Sequence, residues 1–394
     1  MASAPPASTD EALPLVDVGP FVATGEDASA CAAVTAALAR YSAVIIRDAR
    51  VTAASSATFL DMMEAYFQQP RVVKMADARP DLAYQVGVTP DGIEVPRDVA
   101  SFVASLSDPS QHPAVSAAVA DGDGGESGSN PRRPAADPKW RFLYRIGERP
   151  PANATAFPEL NAPPVTPAAF ADRWDAVMTS WGTQLLAAVT TVAAMLSVGL
   201  GHPADTIPSL MIGAPHLLGP TGADMDLHGE AVGRVLAGAH YDLNLLTIHG
   251  GARLPGLRIW DRDGRRLAVR VPPGCLLVQA GRQVEHLTGG RVRRGMHEVV
   301  VTPTTVAAVR ARRAAAAAAA AVADDATADV DSKGHDSTTP PGLWRVSSTL
   351  FGHVASDAVV APLGGVVEGT TVYPPMRAGD MVAEELRAIN LAAS

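Results

Sequence analysis

Two pairs of polar residues, each spaced by two, stand out in the chain: His240-Tyr-Asp242 and Arg345-Val-Ser347, with His297 between them in sequence. In a β-strand, residues i and i+2 face the same side, so each pair can aim two polar side chains into one cavity. Two imidazoles and a carboxylate form a three-point metal site that leaves positions on the ion open. That set, free of thiolates, favours non-haem Fe(II) oxygen chemistry over structural zinc or an iron-sulfur cluster. Arg345 offers a planar fork of donors matched to a carboxylate, and Ser347 adds a hydroxyl beside it, which suits an acidic organic co-substrate. The residues by themselves therefore imply an iron-dependent oxygenase.

Each of these residues has a plainer reading. His240 and Asp242 alone would fit an ordinary turn or a hydrogen-bonded core pair, and only the addition of His297, Arg345 and Ser347 on predicted strands favours a site. His286 competes with His297 as the second imidazole, but it sits in the turn-flanked segment Glu285-His-Leu-Thr-Gly289. His297 directly precedes the apolar strand Glu298-Val-Val-Val-Thr302 and is preferred. His249 is read as support or packing around a metal site, and His216 and His228, which flank a Gly/Pro-rich stretch, as loop residues. Trp260 and Trp344 either pack the core or border a substrate pocket.

The 394 residues are 47% hydrophobic, ample for a core. A formal charge of −9 gives no broad basic face, which argues against nucleic-acid binding. Cys31 and Cys275 do not resemble a disulfide framework and fit a reducing compartment, so a cytoplasmic location is expected. The start of the sequence lacks a basic and then apolar signal, and Asp10 and Glu11 argue against a transit peptide. Residues 185–200 are apolar but fall short of the ~20 needed to span a bilayer, so a buried core helix is expected and no membrane association.

The elements that must position the site follow from periodicity and turn residues. An N-terminal α/β lead-in over 1–106 contains strands at 13–18 and 43–47 and helices at 27–40 and 53–66. Residues 107–137 are rich in Asp, Gly, Ser and Pro and are expected to be a disordered insertion. Helical support follows over 138–205, with one long or two consecutive helices at 168–200. From 206 to 394 short strands alternate with turns, the pattern of an all-β barrel or sandwich. They are expected at 238–243, 245–249, 256–260, 267–271, 275–280, 298–302 and 345–351. A low-complexity insertion over about 307–341 interrupts them, beginning with a run of alanines that can form a short helix.

Taken in order, His240-Tyr-Asp242-Leu-Asn-Leu-Leu-Thr247, Gly256-Leu-Arg-Ile, Val271-Pro-Pro-Gly-Cys-Leu-Leu-Val-Gln-Ala-Gly281, Leu287-Thr-Gly-Gly290, His297-Glu-Val-Val and Arg345-Val-Ser-Ser-Thr-Leu-Phe351 closely resemble the 2-oxoglutarate/Fe(II)-dependent dioxygenase superfamily. The resemblance is to its isopenicillin N synthase-like branch. It extends to Leu13-Pro-Leu-Val-Asp17, to the segment from Phe67-Gln-Gln-Pro70 to Lys74, and to Val372-Tyr-Pro-Pro375. It implies a mainly β fold with flanking helices, built on a double-stranded β-helix or jelly-roll core. Iron would be held by His240, Asp242 and His297, and the far carboxylate of 2-oxoglutarate by Arg345 and Ser347. In the family, O₂ is the second co-substrate, ascorbate supports turnover, and decarboxylation of the keto acid to succinate and CO₂ accompanies oxidation of a small organic substrate. Two alternatives share the fold: an iron oxidase that does not use 2-oxoglutarate, and a non-catalytic metal-binding barrel used for sensing or protein interaction. The sequence departs from the branch in three places: Leu210-Met-Ile-Gly-Ala-Pro-His216 replaces an Arg-x-Asn-x-Tyr-Pro segment, Gln279-Ala-Gly-Arg282 replaces Asn-x-Gly-Asp, and Glu298 stands where Arg is frequent.

Overall fold

The structure, a computed structural model, describes residues 12–96, 135–327, 342–364, 373–389 and 391. The lead-in forms as its periodicity predicts. Strand β1 (Leu15–Asp17) leads through a short helix α1 (Gly19–Thr24) to α2 (Ala28–Tyr41), β2 (Ala43–Arg47), α3 (Ala53–Gln68) and α4 (Arg71–Met75). Asp27 and Thr52 cap α2 and α3 by accepting from the Ala30 and Ser55 amides, which fixes where both helices begin.

Next come β3 (Gly87–Thr89), β4 (Trp140–Ile146) and the long helix α5 (Trp174–Gly199), followed by α6 (Thr206–Leu210), β5 (His216–Leu218), β6 (Thr221–Asp224) and α7 (Met225–His228). Most of the expected 107–137 insertion lies outside the described residues. Its last three are described, and Asp137 among them is buried. By length and composition α5 could cross a membrane, but Trp174, Trp181, Leu185, Val189 and Val192 are fully or almost fully buried in the main core. It is the core helix expected from the sequence, packed against α2, α3 and the sheet.

The remaining strands are β7 (Val235–His240), β8 (Leu246–His249), β9 (Leu257–Trp260), β10 (Arg266–Ala268), β11 (Cys275–Ala280), β12 (His297–Val300), β13 (Trp344–Val346), β14 (Thr349–Gly352), β15 (Val359–Val360) and β16 (Met376–Arg377). Helices α8 (Arg282–Leu287), α9 (Pro303–Thr327) and α10 (Ala378–Ala388) join or follow them. The large sheet runs β1-β2-β11-β8-β14-β5-β4-β6-β13, with β3 on β4, and the second runs β10-β9-β12-β7. Among the described residues the sheets form no closed barrel, so the sandwich form of the expectation holds. The alanine run belongs to α9, which is anchored by buried Val306 and Val309 and by Arg310 and Arg313 on Glu230.

One expected strand is two. The 345–351 segment breaks at Ser347-Ser348, so β13 pairs with β6 while β14 pairs with β8 and β5. The break turns the chain from one end of the large sheet to its middle. An uninterrupted period-2 strand could not supply both.

Candidate metal centre and co-substrate pocket

His240 ends β7 and His297 begins β12, and the two residues are direct cross-strand partners. Their ring centroids lie 4.2 Å apart. The i, i+2 spacing predicts Asp242 on the same strand as His240, but the strand ends at His240. Asp242 sits just past the end of β7, in a bend held to the start of α8 by Arg282 N–H donating to its carbonyl at 2.8 Å and Gln283 N–H donating to Asn244 O at 3.0 Å. Gly281 makes this approach possible, because a Cβ there would meet the Asn244 carbonyl at 2.1 Å. The bend returns the carboxylate to the imidazoles, 4.0 Å from His240 Nε2 and 3.8 Å from His297 Nε2.

Ligand atoms of His240, Asp242 and His297 all lie within 4.8 Å of one another, a triangle that one ion can occupy. Each imidazole has its Nδ1 against a carbonyl, Gly238 O at 2.6 Å for His240 and Gly295 O at 3.3 Å for His297. A carbonyl only accepts, so Nδ1 carries the proton and each Nε2 presents a lone pair. Burial, with His297 and Lys139 adding repulsion, lowers the His240 imidazole to about 3 and keeps it neutral. Burial alone would raise the Asp242 carboxyl, but the two imidazoles and the Thr247 hydroxyl hold it below its ordinary value. A neutral imidazole and an ionised carboxylate are the states that metal ligation requires, so the residues fit a ferrous ion.

Thr247 Oγ1 donates to Asp242 Oδ2 at 2.6 Å. Thr247→Val keeps the shape and removes that donor. Metal affinity is expected to fall by ~10–100-fold, read as Kd for Fe(II) or Co(II) by anaerobic titration.

The other candidates separate cleanly. His286 lies in α8 against Pro374 O at 2.5 Å, outside the cluster. His249 has both ring nitrogens engaged, Nε2 with Gln279 Oε1 at 2.8 Å and Nδ1 with Thr349 Oγ1 at 3.2 Å, so it supports the site without a free lone pair. Trp260 is buried beside Ala239 and Met296, and Trp344 packs behind the cavity wall. His228 ends the short helix α7.

His216 is not a loop residue. It opens β5, where its Nε2 donates to Met211 O at 3.1 Å and its Nδ1 accepts from His353 N–H at 3.1 Å. Burial lowers His216 to about 4 and His353 to about 3, with Arg145 adding to both. A histidine that stays neutral when folded but titrates near 6.5 unfolded lets the unfolded chain bind the extra proton. Stability is therefore full above pH 6.5 and is lost as pH falls toward 4. At pH 5 each imidazole costs on the order of 2 kcal/mol. Urea unfolding of the metal-free chain should give a markedly lower midpoint at pH 5 than at pH 7, and His216→Asn should reduce the difference.

The metal cluster opens into a cavity of about 760 Å³ between the two sheets, a size suited to small organic ligands. Arg345 lines it from β13, and its Nε donates to Pro255 O at 3.3 Å. Burial alone lowers this guanidinium to about 10, and it forms no ion pair among the described residues. Ser347, just past the strand, accepts from Thr221 N–H at 3.1 Å and shares a hydrogen bond with Thr221 Oγ1 at 2.7 Å. All five sequence candidates thus reach one cavity.

Sequence reasoning missed a second charged group on the same wall. Lys139 Nζ donates to Asp137 Oδ2 at 2.5 Å and lies 3.5 Å from Glu94, and Arg141 lies 3.2 Å from Glu94. Burial would raise Glu94, but Arg141 and Lys139 hold it at about 2. Asp137 also accepts from Gly238 N–H at 2.8 Å, which ties this group to the strand that carries His240. The available signal was Lys139-Trp-Arg141, two cations at strand spacing opening an apolar run.

Residues 223–316 match the model of the 2OG-Fe(II) oxygenase superfamily, a segment that holds all three metal candidates and ends before Arg345. No curated protein matches the sequence. Among solved structures, the chain resembles a 2OG-Fe(II) oxygenase family protein of Caulobacter crescentus at 20% identity and a TM-score of 0.67, covering 96% of this chain and 99% of that one. A full-length Neurospora crassa protein, solved in complex with alpha-KG, is 15% identical with a TM-score of 0.66, covering 97% and 98%. A rice dioxygenase for auxin oxidation is 14% identical with a TM-score of 0.58, covering 97% and 100%. The shared fold is the double-stranded β-helix with flanking helices.

Proposed function

We propose that this chain, whose residues 223–316 match the 2OG-Fe(II) oxygenase superfamily, oxidises a small molecule that is uncharged and largely apolar beside the metal, by hydroxylation or desaturation, with release of succinate and CO₂. The observation that carries the reading is Arg345: a buried cation without a carboxylate partner among the described residues, in the same cavity as a His-Asp-His cluster. An unpaired buried guanidinium is costly, and a carboxylate arriving with the ligand removes that cost. The alpha-KG held by the N. crassa relative supports a keto-diacid in this role.

His240, Asp242 and His297 would hold the ferrous ion, which with 2-oxoglutarate and O₂ supplies the oxidant that takes hydrogen from a neighbouring carbon. The chain's own share is placement. Arg345 and Ser347 orient the keto acid from its far end, and Thr221 holds the Ser347 hydroxyl in position. His249 and Thr349 line the space between the two ends.

The substrate class follows from the remaining charges. Lys139, Arg141, Glu94 and Asp137 close on one another, Arg253 pairs with Glu64 and Asp61, and Glu385 pairs with Arg282. The rest of the wall includes Leu60, Leu143, Leu243, Leu257, Val299 and Leu386. Arg270, also on the wall, is exposed and forms no ion pair among the described residues, but a charged group reaching the inner wall would have to break the buried Lys139–Asp137–Glu94 cluster, at a cost of several kcal/mol. The test is succinate formation from 2-oxoglutarate under Fe(II), O₂ and ascorbate across neutral and acidic metabolite sets. Stimulation by neutral compounds is expected. No succinate, coupled or uncoupled, together with O₂ consumption on an acid alone, would instead select an iron oxidase whose substrate carboxylate sits on Arg345.

A further inference from the structure

The lead-in contains a lysine that the site does not use. Lys74, in α4, is buried, and its Nζ donates to the Phe67 carbonyl at 2.6 Å. The same ammonium lies 4.0 Å from the centre of the Trp140 ring and 4.5 Å from that of Trp344, a cation between two aromatic faces. Lys74 makes no ion pair among the described residues, and burial lowers it to about 8 despite Asp91 and Asp224 nearby.

The two tryptophans hold particular places in the sheet. Trp140 precedes Arg141 on β4, and Trp344 precedes Arg345 on β13. Both strands flank β6, where Trp140 pairs with Gly222, Trp344 with Asp224 and Arg345 with Ala223. Side chains alternate across a strand, so a tryptophan held behind the sheet sets the direction of the arginine in front of it. Arg141 and Arg345 line the cavity, whereas Trp140, Trp344 and Lys74 do not. Phe67 completes the clamp by stacking on Trp344 at 5.8 Å and covering Gly222, where a Cβ would lie 2.5 Å from its ring.

We propose that Lys74 is a positioning residue for co-substrate binding: by drawing Trp140 and Trp344 together behind β4, β6 and β13, it aims the Arg345 guanidinium at the far carboxylate of 2-oxoglutarate. This rests on the co-substrate role given to Arg345 above. A cation–π contact is strongest when desolvated, as here, and its loss lets the Trp344 end of β13 shift. Among the described residues the Arg345 side chain has one long hydrogen bond, to Pro255 O, to resist that shift.

The test is equilibrium binding to the anaerobic Fe(II)-loaded full chain, read from the visible band of the chelated keto acid. Two probes share the chelating end: 2-oxoglutarate, and 2-oxovalerate, which lacks the far carboxylate. In the wild type 2-oxoglutarate should bind more tightly by at least tenfold. If it does not, the co-substrate role of Arg345 fails and the proposal for Lys74 is overturned with it. With that discrimination present, Lys74→Met is expected to weaken 2-oxoglutarate about tenfold while leaving 2-oxovalerate and Fe(II) binding within twofold. Lys74→Arg, which keeps a cation for the two rings, should restore most of the loss. Equal weakening of both probes, or a lowered Tm with discrimination intact, would reduce Lys74 to a fold-stabilising residue and overturn the proposal. Should Lys74→Met fail to fold, Trp344→Phe with the same two probes decides the matter, since a phenyl ring weakens the clamp while keeping the packing. Unchanged discrimination there would also overturn it.

Discussion

Asp242→Ala is expected to leave a folded chain that no longer retains iron and consumes no O₂. Two imidazole ligands carry no charge to balance a divalent cation, and Asp242 is the one carboxylate in the cluster. Removal of a directly ligating carboxylate should exceed the ~10–100-fold lost when only a supporting hydrogen bond is removed. The fold should tolerate the change, because the bend is held by backbone bonds from Arg282 and Gln283 and not by the carboxylate. Iron content after anaerobic loading and desalting, beside a thermal melt, checks both parts. A variant that binds iron like the wild type would remove Asp242 from the centre.

Arg345→Met should give the complementary phenotype. Truncating one partner of a buried charge pair costs ~2–5 kcal/mol, which is on the order of thirty- to several-thousand-fold in affinity. The loss should fall on 2-oxoglutarate and spare iron, because Arg345 reaches the cavity from β13 in the large sheet whereas the imidazoles come from β7 and β12 in the other. The variant also removes a buried cation without an ion-pair partner among the described residues, so the metal-free protein should be no less stable than the wild type. Binding of 2-oxoglutarate and retention of Fe(II), measured on the same preparation, separate the two roles. Parallel loss of iron would mean that Arg345 holds up the metal-bearing sheet and does not grip a ligand.

The two substitutions separate because the site joins two sheets, and that joining was only partly legible in the sequence. Strand β11 appears over its predicted residues because an apolar run bounded by Pro272-Pro-Gly274 and Gly281 leaves few alternatives. Helix α2 and strand β2 are within one residue of expectation for a similar local reason, periodicity closed by a cap. By contrast β4, β5 and β6 were not anticipated, because Trp140–Ile146 is nearly all buried and shows no alternation of apolar and polar residues. With β4 went the Lys139-Arg141-Glu94 group, whose members meet only because β4 packs beside the segment that carries Glu94. His216 was misplaced for the same reason, since its strand is fixed by pairing with β4 and β14 and not by its own composition.

The sequence by itself determined the types and order of the chemical groups: imidazole, carboxylate and imidazole, then a guanidinium with a hydroxyl two residues on. It did so because ligand chemistry resides in side chains, and short spacings limit where neighbours can point. Tertiary structure alone decided how those groups converge. Asp242 reaches the two imidazoles from a bend that Gly281 allows to sit against Asn244, and Ser347 reaches the cavity from a break between two strands whose residues spell one continuous run. Both depend on contacts between segments far apart in the chain, which no local spacing encodes.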